Sequence, residues 1–324
     1  MNPSTLWSLL KQSFAEWQRD KVSRLAAALA YYTAFALAPV LVIVIAIASF
    51  LFEQSAVQDR IIAQLQSLLG NDGAEMVREM LISAQSQDSN SFLATVVGVV
   101  LLIAGASGLF IQLQDALNTV WNVEARTDQG IWRLVRDRLL SFGMVLVIGF
   151  LLMVSLLLSA ALTAASSFVG SGGLPGLDIF WQIANAVVSF GVITLLFGLI
   201  YKILPDAKIG WSDVWVGAAI TALLFTIGKW LIGLYLGNSS AASAYGAAGS
   251  FVVLLLWIYY STQILLFGAE FTQVYANRFG SHIRPDKHAT YSSDATAADK
   301  GETELPQTRS EYRKQQSLKP PADQ

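Results

Sequence analysis

The sequence predicts an all-α, polytopic integral membrane protein: a six-transmembrane-helix bundle with both termini cytoplasmic. Three observations predict this class. Only 14% of the 324 residues are charged, whereas a soluble domain carries about 25%. Apolar residues gather into six runs, each as long as the roughly 20 residues that a helix needs to cross a bilayer. Lysine and arginine fall almost entirely on one side of those runs.

The six apolar runs are separated by polar or glycine-rich connectors. The predicted spans cover about 25–52, 92–114, 139–168, 179–204, 214–236 and 250–275. The first run follows a leader of 24 residues and is longer than the roughly 7–15 apolar residues of a secretory signal. We therefore expect the first run to be an uncleaved transmembrane helix.

The positive charges orient the bundle. Of the 21 Lys and Arg residues, 18 lie in the leader, the second and fourth connectors and the tail, or at their edges. Only Arg60 and Arg78 lie in connectors on the other side, and Lys229 lies inside a span. Because Lys and Arg are enriched on the cytoplasmic side, this bias predicts that both termini are cytoplasmic.

Two segments outside the spans have helical patterns. In the leader, residues 1–24, the large apolar side chains recur on one face of a helix over residues 4–18. A helix on the membrane surface and a helix packed on the bundle both fit this pattern. The connector 53–91 has two apolar helical patterns separated by Gly70-Asn71-Asp72-Gly73, which predicts an external helical hairpin.

The C-terminal segment 277–324 predicts a disordered cytoplasmic tail. From Ser281 onward it is rich in Ser, Thr, Asp, Lys, Gln and Pro and has almost no large apolar residues. Such a composition buries too little surface to fold alone.

Small residues predict where the helices pack, because they let backbones approach each other in lipid. Ala26, Ala30, Ala34 and Ala38 form a ridge on the first span. Ala104 with Gly108, and Gly233 with Gly237, have the same spacing on the second and fifth spans. Pro39 is expected to kink the first span.

Polar residues at membrane depth are the candidate functional residues, because they are costly there and usually have a role. The candidates for substrate binding or a polar cavity are Ser107, Gln114, Asp115, Asn118, Tyr259, Gln263, Glu270 and Lys229. The first four share a face of span two, and Tyr259, Gln263 and Glu270 share a face of span six. These two stripes are expected to meet, to line a cavity open to the cytoplasm, or to form hydrogen bonds between helices without a cavity.

Lys229 is expected in the outer leaflet and Glu270 in the inner leaflet, because spans five and six run in opposite directions. The two residues are therefore not expected to pair. The long side chain of Lys229 either has a functional role or extends to the outer interface.

Catalytic chemistry finds little support in the sequence. Gly105-Ala106-Ser107-Gly108 matches the G-x-S-G pattern of rhomboid-type intramembrane proteases, but a serine nucleophile needs a base. The only histidines, His282 and His288, lie in the tail. There is no cysteine, no cluster of metal ligands and no phosphate-binding loop. We therefore predict no catalytic residue, metal or cofactor, and a net charge of −2 gives no reason to expect nucleic acid.

Three segments carry a family resemblance: LAAALAYYTAFALAPVLV from Leu25, GASGLFIQLQDALNTVWNV from Gly105, and WIYYSTQILLFGAEFTQVYA from Trp257. They resemble the YihY/BrkB family of bacterial inner-membrane proteins over roughly residues 10 to 280. The resemblance implies six spans in the bacterial inner membrane and broad links to serum resistance and envelope lipids. The family's former label, ribonuclease BN, is not carried over, because a metal-dependent nuclease needs ligands that this sequence lacks.

Two functions follow as expectations. The first is transport or flipping of an amphipathic envelope component such as a lipid, suggested by the polar stripes. The alternative is a non-transporting scaffold for envelope assembly or serum resistance, acting through the external segment or the tail. The lipid bilayer is the expected partner, and a homo-oligomer is compatible with the sequence.

Overall fold

The structure is a computed structural model that describes residues 3–50, 52–85, 92–125, 177–238, 248–287 and 289–292, with the isolated positions 143, 151 and 154. The predicted third span, 139–168, lies outside the described residues apart from those positions. So does the part of the predicted tail after residue 292.

The described residues form seven helices and four short strands. The helices are α1 (Pro3–Arg19), α2 (Val22–Ala48), α3 (Gln54–Gln85), α4 (Phe92–Val120), α5 (Leu177–Ile203), α6 (Trp211–Asn238) and α7 (Gly249–Phe279). The strands are β1 (Val123–Ala125), β2 (Ala207–Lys208), β3 (Arg284–Pro285) and β4 (Ala289–Tyr291).

Four stretches of helix are long and apolar enough to cross a membrane. They are Val22–Ala48, Ile183–Ile203, Trp211–Leu234 and Gly249–Phe279, and they coincide with the predicted first, fourth, fifth and sixth spans. A fifth helix, α4, covers the predicted second span. These helices confirm that the chain is an α-helical membrane protein.

Helix α7 is the element around which the other helices pack. It contacts α1, α2, α3, α4 and α6. The main buried cluster joins α7 to α2, α4, α5 and α6, with Trp121 and Tyr201 as its largest members. The position of α7 therefore decides where the polar residues of the predicted sixth span lie.

Two threonines fit against two glycines where α6 crosses α7. A Cβ added to Gly217 would overlap the side chain of Thr272, and a Cβ added to Gly268 would overlap that of Thr221. Each threonine hydroxyl donates to the carbonyl of the glycine one turn earlier on its own helix, Thr221 to Gly217 at 2.8 Å and Thr272 to Gly268 at 2.7 Å. We call these four residues the Thr–Gly interlock.

The alanine ridge on α2 packs as predicted. Ala26, Ala30 and Ala34 are buried. Farther along the same helix, Pro39 lies 3.3 Å from the point where a Cβ on Gly105 of α4 would be. Small residues thus bring α2 and α4 together, as close helix packing in lipid requires.

The predicted hairpin in 53–91 is wrong, because α3 is one continuous helix through the expected turn at 70–73. Two glycines cost about 1 kcal/mol each inside a helix. Packing opposes this cost: Val57, Ile62, Val77 and Leu81 are buried in a second cluster with residues of α2 and α7. The location of α3 outside the membrane stays a prediction.

The predicted disorder from residue 277 is wrong up to residue 292. Helix α7 extends to Phe279, and β3 and β4 follow it. Strand β4 pairs antiparallel with β1, and β3 pairs antiparallel with β2. Backbone hydrogen bonds to two earlier connectors thus order a segment that has little apolar surface of its own. We call residues 280–292 the C-terminal clasp.

The clasp is fixed to the start of α6 by one buried carboxylate. Asp213 accepts hydrogen bonds from the backbone N–H and the hydroxyl of Ser281, both at 2.8 Å. The hydroxyl of Ser281 also accepts one from the N–H of Gly210, at 2.8 Å. The ends of α4, α5 and α7 and the beginning of α6 therefore lie on one face of the bundle.

The Thr–Gly interlock predicts a position-specific effect of alanine. Gly217→Ala is expected to lower stability by about 1–3 kcal/mol, the usual effect of overpacking, and to lower the midpoint of thermal unfolding in detergent. Gly198→Ala is the matched control, because a Cβ there would meet its nearest neighbours at 3.8 Å, an ordinary contact. Equal midpoints for the two variants would contradict the interlock.

Candidate functional site

Two amides of the polar stripe on α4 bind the carboxylate of Asp206, which is not among the predicted site residues. Asp206, in the connector between α5 and α6, is 5% exposed. Its Oδ2 accepts hydrogen bonds from Gln114 Nε2 at 3.1 Å and Asn118 Nδ2 at 3.2 Å. Its backbone N–H donates to Asn118 Oδ1 at 2.9 Å. Both the nitrogen and the oxygen of the Asn118 side-chain amide are therefore hydrogen-bonded to Asp206.

The Asp206 cluster continues into the C-terminal clasp. The carbonyl of Asp206 accepts a hydrogen bond from the N–H of Asp286 at 2.9 Å. The carboxylate of Asp286 lies 3.3 Å from the ammonium of Lys208. These bonds join α4, the α5–α6 connector and the clasp. We call the cluster of Gln114, Asn118, Asp206 and Asp286 the Asp206 joint.

The other two predicted residues of the α4 stripe lie on either side of this joint. Ser107 is buried at 5% exposure, two turns before Gln114. Asp115 is exposed, five residues before the end of the helix. The stripe is therefore divided between a buried part that reaches Asp206 and an exposed end.

Glu270 is the centre of a second polar cluster. Its side chain is fully buried on α7, and neither carboxyl oxygen has a hydrogen-bond partner among the residues that the structure describes. The charged groups that act on it are Glu16, Arg19 and Asp20 at the end of α1. Arg19 is already paired with Glu16 at 2.5 Å and with Asp20 at 3.4 Å.

Helix α1 packs along the C-terminal part of α7 and covers Glu270. Trp17 Nε1 donates to Gln263 Oε1 at 3.1 Å, and Arg278 donates to the hydroxyl of Ser8 at 2.9 Å. Between these contacts, Leu9 is buried against Phe271 and Val274 of α7. The leader helix is thus packed on the bundle, one of the two arrangements that the sequence allowed.

The level of Glu270 along the bundle follows from α4. The indole N–H of Trp121, next to the end of α4, donates to the carbonyl of Ala269 at 3.2 Å. Glu270 is therefore level with the end of α4. Helix α7 extends nine residues farther, about 14 Å at 1.5 Å per residue.

The two predicted stripes belong to helices that touch, yet their amides bind different partners. Gln114 and Asn118 bind Asp206, and Gln263 binds α1. The sequence offered one signal for each missed residue. Asp206 follows Pro205 in a very short connector. Glu16 lies on the predicted amphipathic helix, and Asp20 lies two residues after it.

Lys229 and Tyr259 lie away from both clusters. Lys229 is exposed on α6 and has no hydrogen-bond or ion-pair partner among the described residues. Tyr259 borders an open groove of about 350 Å³ between α6 and α7, with Leu231, Ile232, Leu256 and Tyr260. The lining is almost wholly apolar. Across the described parts of the chain, no group of three or more His, Cys, Asp or Glu residues could hold a metal ion.

The Asp206 joint predicts a loss of stability when its carboxylate is removed. Asp206→Ala leaves the amides of Gln114 and Asn118 without their acceptor, which costs about 1–3 kcal/mol. The expected result is a lower unfolding midpoint by tryptophan fluorescence in detergent. Asp115→Ala, an exposed carboxylate on the same helix, is the control and is expected to change stability by about 0.5 kcal/mol at most. If Asp206→Ala and Asp115→Ala unfold at the same midpoint, Asp206 does not stabilise the contact between α4 and the clasp.

Comparison with known proteins finds membrane proteins that are similar to this chain. The chain is 28% identical over 271 residues to a UPF0761 membrane protein of Mannheimia succiniciproducens, covering 81% of this chain and 87% of that protein. It is 30% identical over 259 residues to a UPF0761 membrane protein of Xanthomonas campestris, covering 78% of this chain and 58% of that longer protein. Several further Xanthomonas relatives are also covered over only 58% of their length. No solved structure matches the chain.

The family itself is identified by a match over most of the chain. The family model described as "Virulence factor BrkB" matches residues 13–292, from the middle of α1 to the end of the clasp. The match includes the four described strands, the Asp206 joint, and Glu270 with its neighbours Glu16, Arg19 and Asp20. It confirms the resemblance drawn from the three sequence segments, and this chain belongs to the BrkB family of membrane proteins.

Proposed function

We propose that this protein moves an amphipathic lipid of the cell envelope across the bacterial inner membrane. The observation that carries the proposal is the groove between α6 and α7. It is apolar and open, and it borders the row of polar side chains on α7. An amphipathic lipid needs both kinds of surface, because its chains and its headgroup are stabilised in different surroundings.

The position of the groove suits an acyl chain. Leu256 and Tyr259 lie seven and ten residues from the beginning of α7, or about 10 and 15 Å at 1.5 Å per residue. This depth is within the hydrocarbon of a membrane about 30 Å thick. A volume of about 350 Å³ lies at the lower end of the range for small-molecule sites.

A polar row extends from the groove toward the cytoplasmic end of α7. Tyr259, Gln263 and Glu270 are spaced by four and seven residues, so they share one face of the helix. Gln263 is held by Trp17, and Glu270 lies beneath the end of α1. Tyr259 and Gln263, which are partly exposed, would give a headgroup polar contacts along the bundle, and Glu270 would be reached when α1 moves.

The topology that we propose has six spans with both termini in the cytoplasm. The clasp places the ends of α4 and α5 on the same face. Because α5 therefore begins at the opposite face, residues 126–176 have to connect the two faces, as the predicted third span would do. The Lys and Arg bias supports assigning the clasp face to the cytoplasm.

Labelling of single cysteines tests this topology, and the natural chain contains none. Ser55→Cys, at the exposed beginning of α3, is expected to react with a membrane-impermeant maleimide in intact cells. Lys287→Cys, exposed in the clasp, is expected to react only after the inner membrane is permeabilised. Labelling of Lys287→Cys in intact cells would overturn the proposed orientation.

Filling the groove tests transport. Leu256→Trp is expected to slow the movement of a fluorescent phospholipid between leaflets of proteoliposomes several-fold, because the indole occupies the space for an acyl chain. Leu223→Trp, on an exposed lipid-accessible position of α6, is the matched control and is expected to keep the wild-type rate. Glu270→Ala is also expected to slow transport, through loss of the polar row.

The alternative function, a scaffold without transport, predicts a different outcome. Wild type and Glu270→Ala would then both move lipid at the rate of protein-free vesicles. Deletion of 53–91 or of residues after 292 would abolish the cellular phenotype, and alanine at Glu270 and Asp115 would be tolerated.

A further inference from the structure

The burial of Glu270 creates an electrostatic problem. A carboxylate removed from water is unfavourable unless it is paired or hydrogen-bonded. Glu270 has no exposed surface and no hydrogen-bond partner among the described residues. The two other buried acids among the described residues, Asp206 and Asp213, accept hydrogen bonds from amides, backbone and a hydroxyl.

The charges around Glu270 make this problem larger. The described charged groups that act on it lie at or directly after the end of α1: two carboxylates, Glu16 and Asp20, and one guanidinium, Arg19. The guanidinium is shared between those two carboxylates. Among the described residues, three carboxyl groups thus face one cation, and negative charge is in excess.

A metal ion does not fit as the missing cation, because the described residues contain no group of acids arranged to hold one. A proton needs no coordination shell and no cavity. We propose that Glu270 is a proton-binding site, closed toward the cytoplasm by the end of α1. This inference goes beyond lipid transport and does not depend on it.

Helix α1 has the features of a cover. Its buried face lies on α7 through Leu9 and the Trp17–Gln263 hydrogen bond, while Trp7 and Phe14 are exposed on the other side. Lys21, between α1 and α2, has a left-handed backbone with φ of 53°, so the helix is interrupted directly after the residues that face Glu270. Proton exchange with the cytoplasm therefore requires the last turn of α1 to move.

Infrared spectroscopy of the full-length protein in liposomes tests the proposal without any substrate. A protonated carboxylic acid has a C=O stretch separate from that of a carboxylate. At neutral pH the wild type is expected to show this band, and Glu270→Gln is expected to lose it. Glu79→Gln, at an exposed carboxyl on α3, is the matched control and is expected to retain it.

Two further measurements keep the test decisive if Glu270→Gln does not fold. In wild type labelled with carboxyl-¹³C glutamate, the band is expected to shift, which assigns it to a glutamate. After transfer to D₂O the band is expected to shift slowly, and faster in Trp17→Phe, which lacks the hydrogen bond to Gln263.

Three outcomes would overturn the proposal. The first is a wild type without the band. The second is a band that Glu270→Gln retains, and the third is a band that disappears when Na⁺ is added at constant pH, which would assign the site to a metal cation. Deuterium exchange as fast in wild type as in Trp17→Phe would exclude α1 as the cover. None of these results depends on whether the protein moves lipids.

Discussion

The close contact between α6 and α7 at the Thr–Gly interlock is the constraint on which the arrangement of this bundle depends. Gly217 and Gly268 lack the side chains that would keep the helices apart, and Thr221 and Thr272 occupy the space. Tyr201 of α5 joins the same contact, because its hydroxyl lies 3.1 Å from that of Thr221 and donates to the carbonyl of Leu265 at 2.6 Å. The crossing fixes α7, and α7 presents Tyr259, Gln263 and Glu270.

The two polar clusters show two ways of placing a carboxyl group among apolar helices. Asp206 is surrounded by donors from α4 and tied to the clasp, so its charge is stabilised where it lies. Glu270 has no hydrogen-bond partner among the described residues, and the charged groups near it are two carboxylates and one guanidinium. Buried groups whose surroundings do not satisfy them are uncommon in proteins and are frequently functional. This difference is why the Asp206 cluster is interpreted as a joint and Glu270 as a site.

The sequence predicted best what depends on length and composition. The helices containing Val22–Ala48, Trp211–Leu234 and Gly249–Phe279 follow from their apolar runs, and the alanine ridge on α2 follows from its spacing. Gly70 and Gly73 led to a wrong prediction of a turn. Their local preference for a turn is overridden because Val77 and Leu81 pack on other helices. Residues 280–292 were wrongly predicted to be disordered, because they form strands only by pairing with partners far away along the chain.

The partners of the polar stripes could not be predicted from the sequence for the same reason. Gln114 and Asp206 are 92 residues apart, and Trp17 and Gln263 are 246 apart. A helical face can be read from periodicity, but which distant residue meets that face depends on how all the helices pack. The exposed position of Asp115, on the same helix as two buried amides, could not be distinguished by spacing alone.

The C-terminal clasp also has a consequence for the order in which the molecule is made. Strand β1 leaves the ribosome early, but its partner β4 is more than 160 residues farther along the chain, with Glu124 opposite Thr290. Helices enter the membrane during synthesis, whereas contacts between distant segments form late and slowly. This face of the bundle therefore stays open until residues 280–292 have been synthesised.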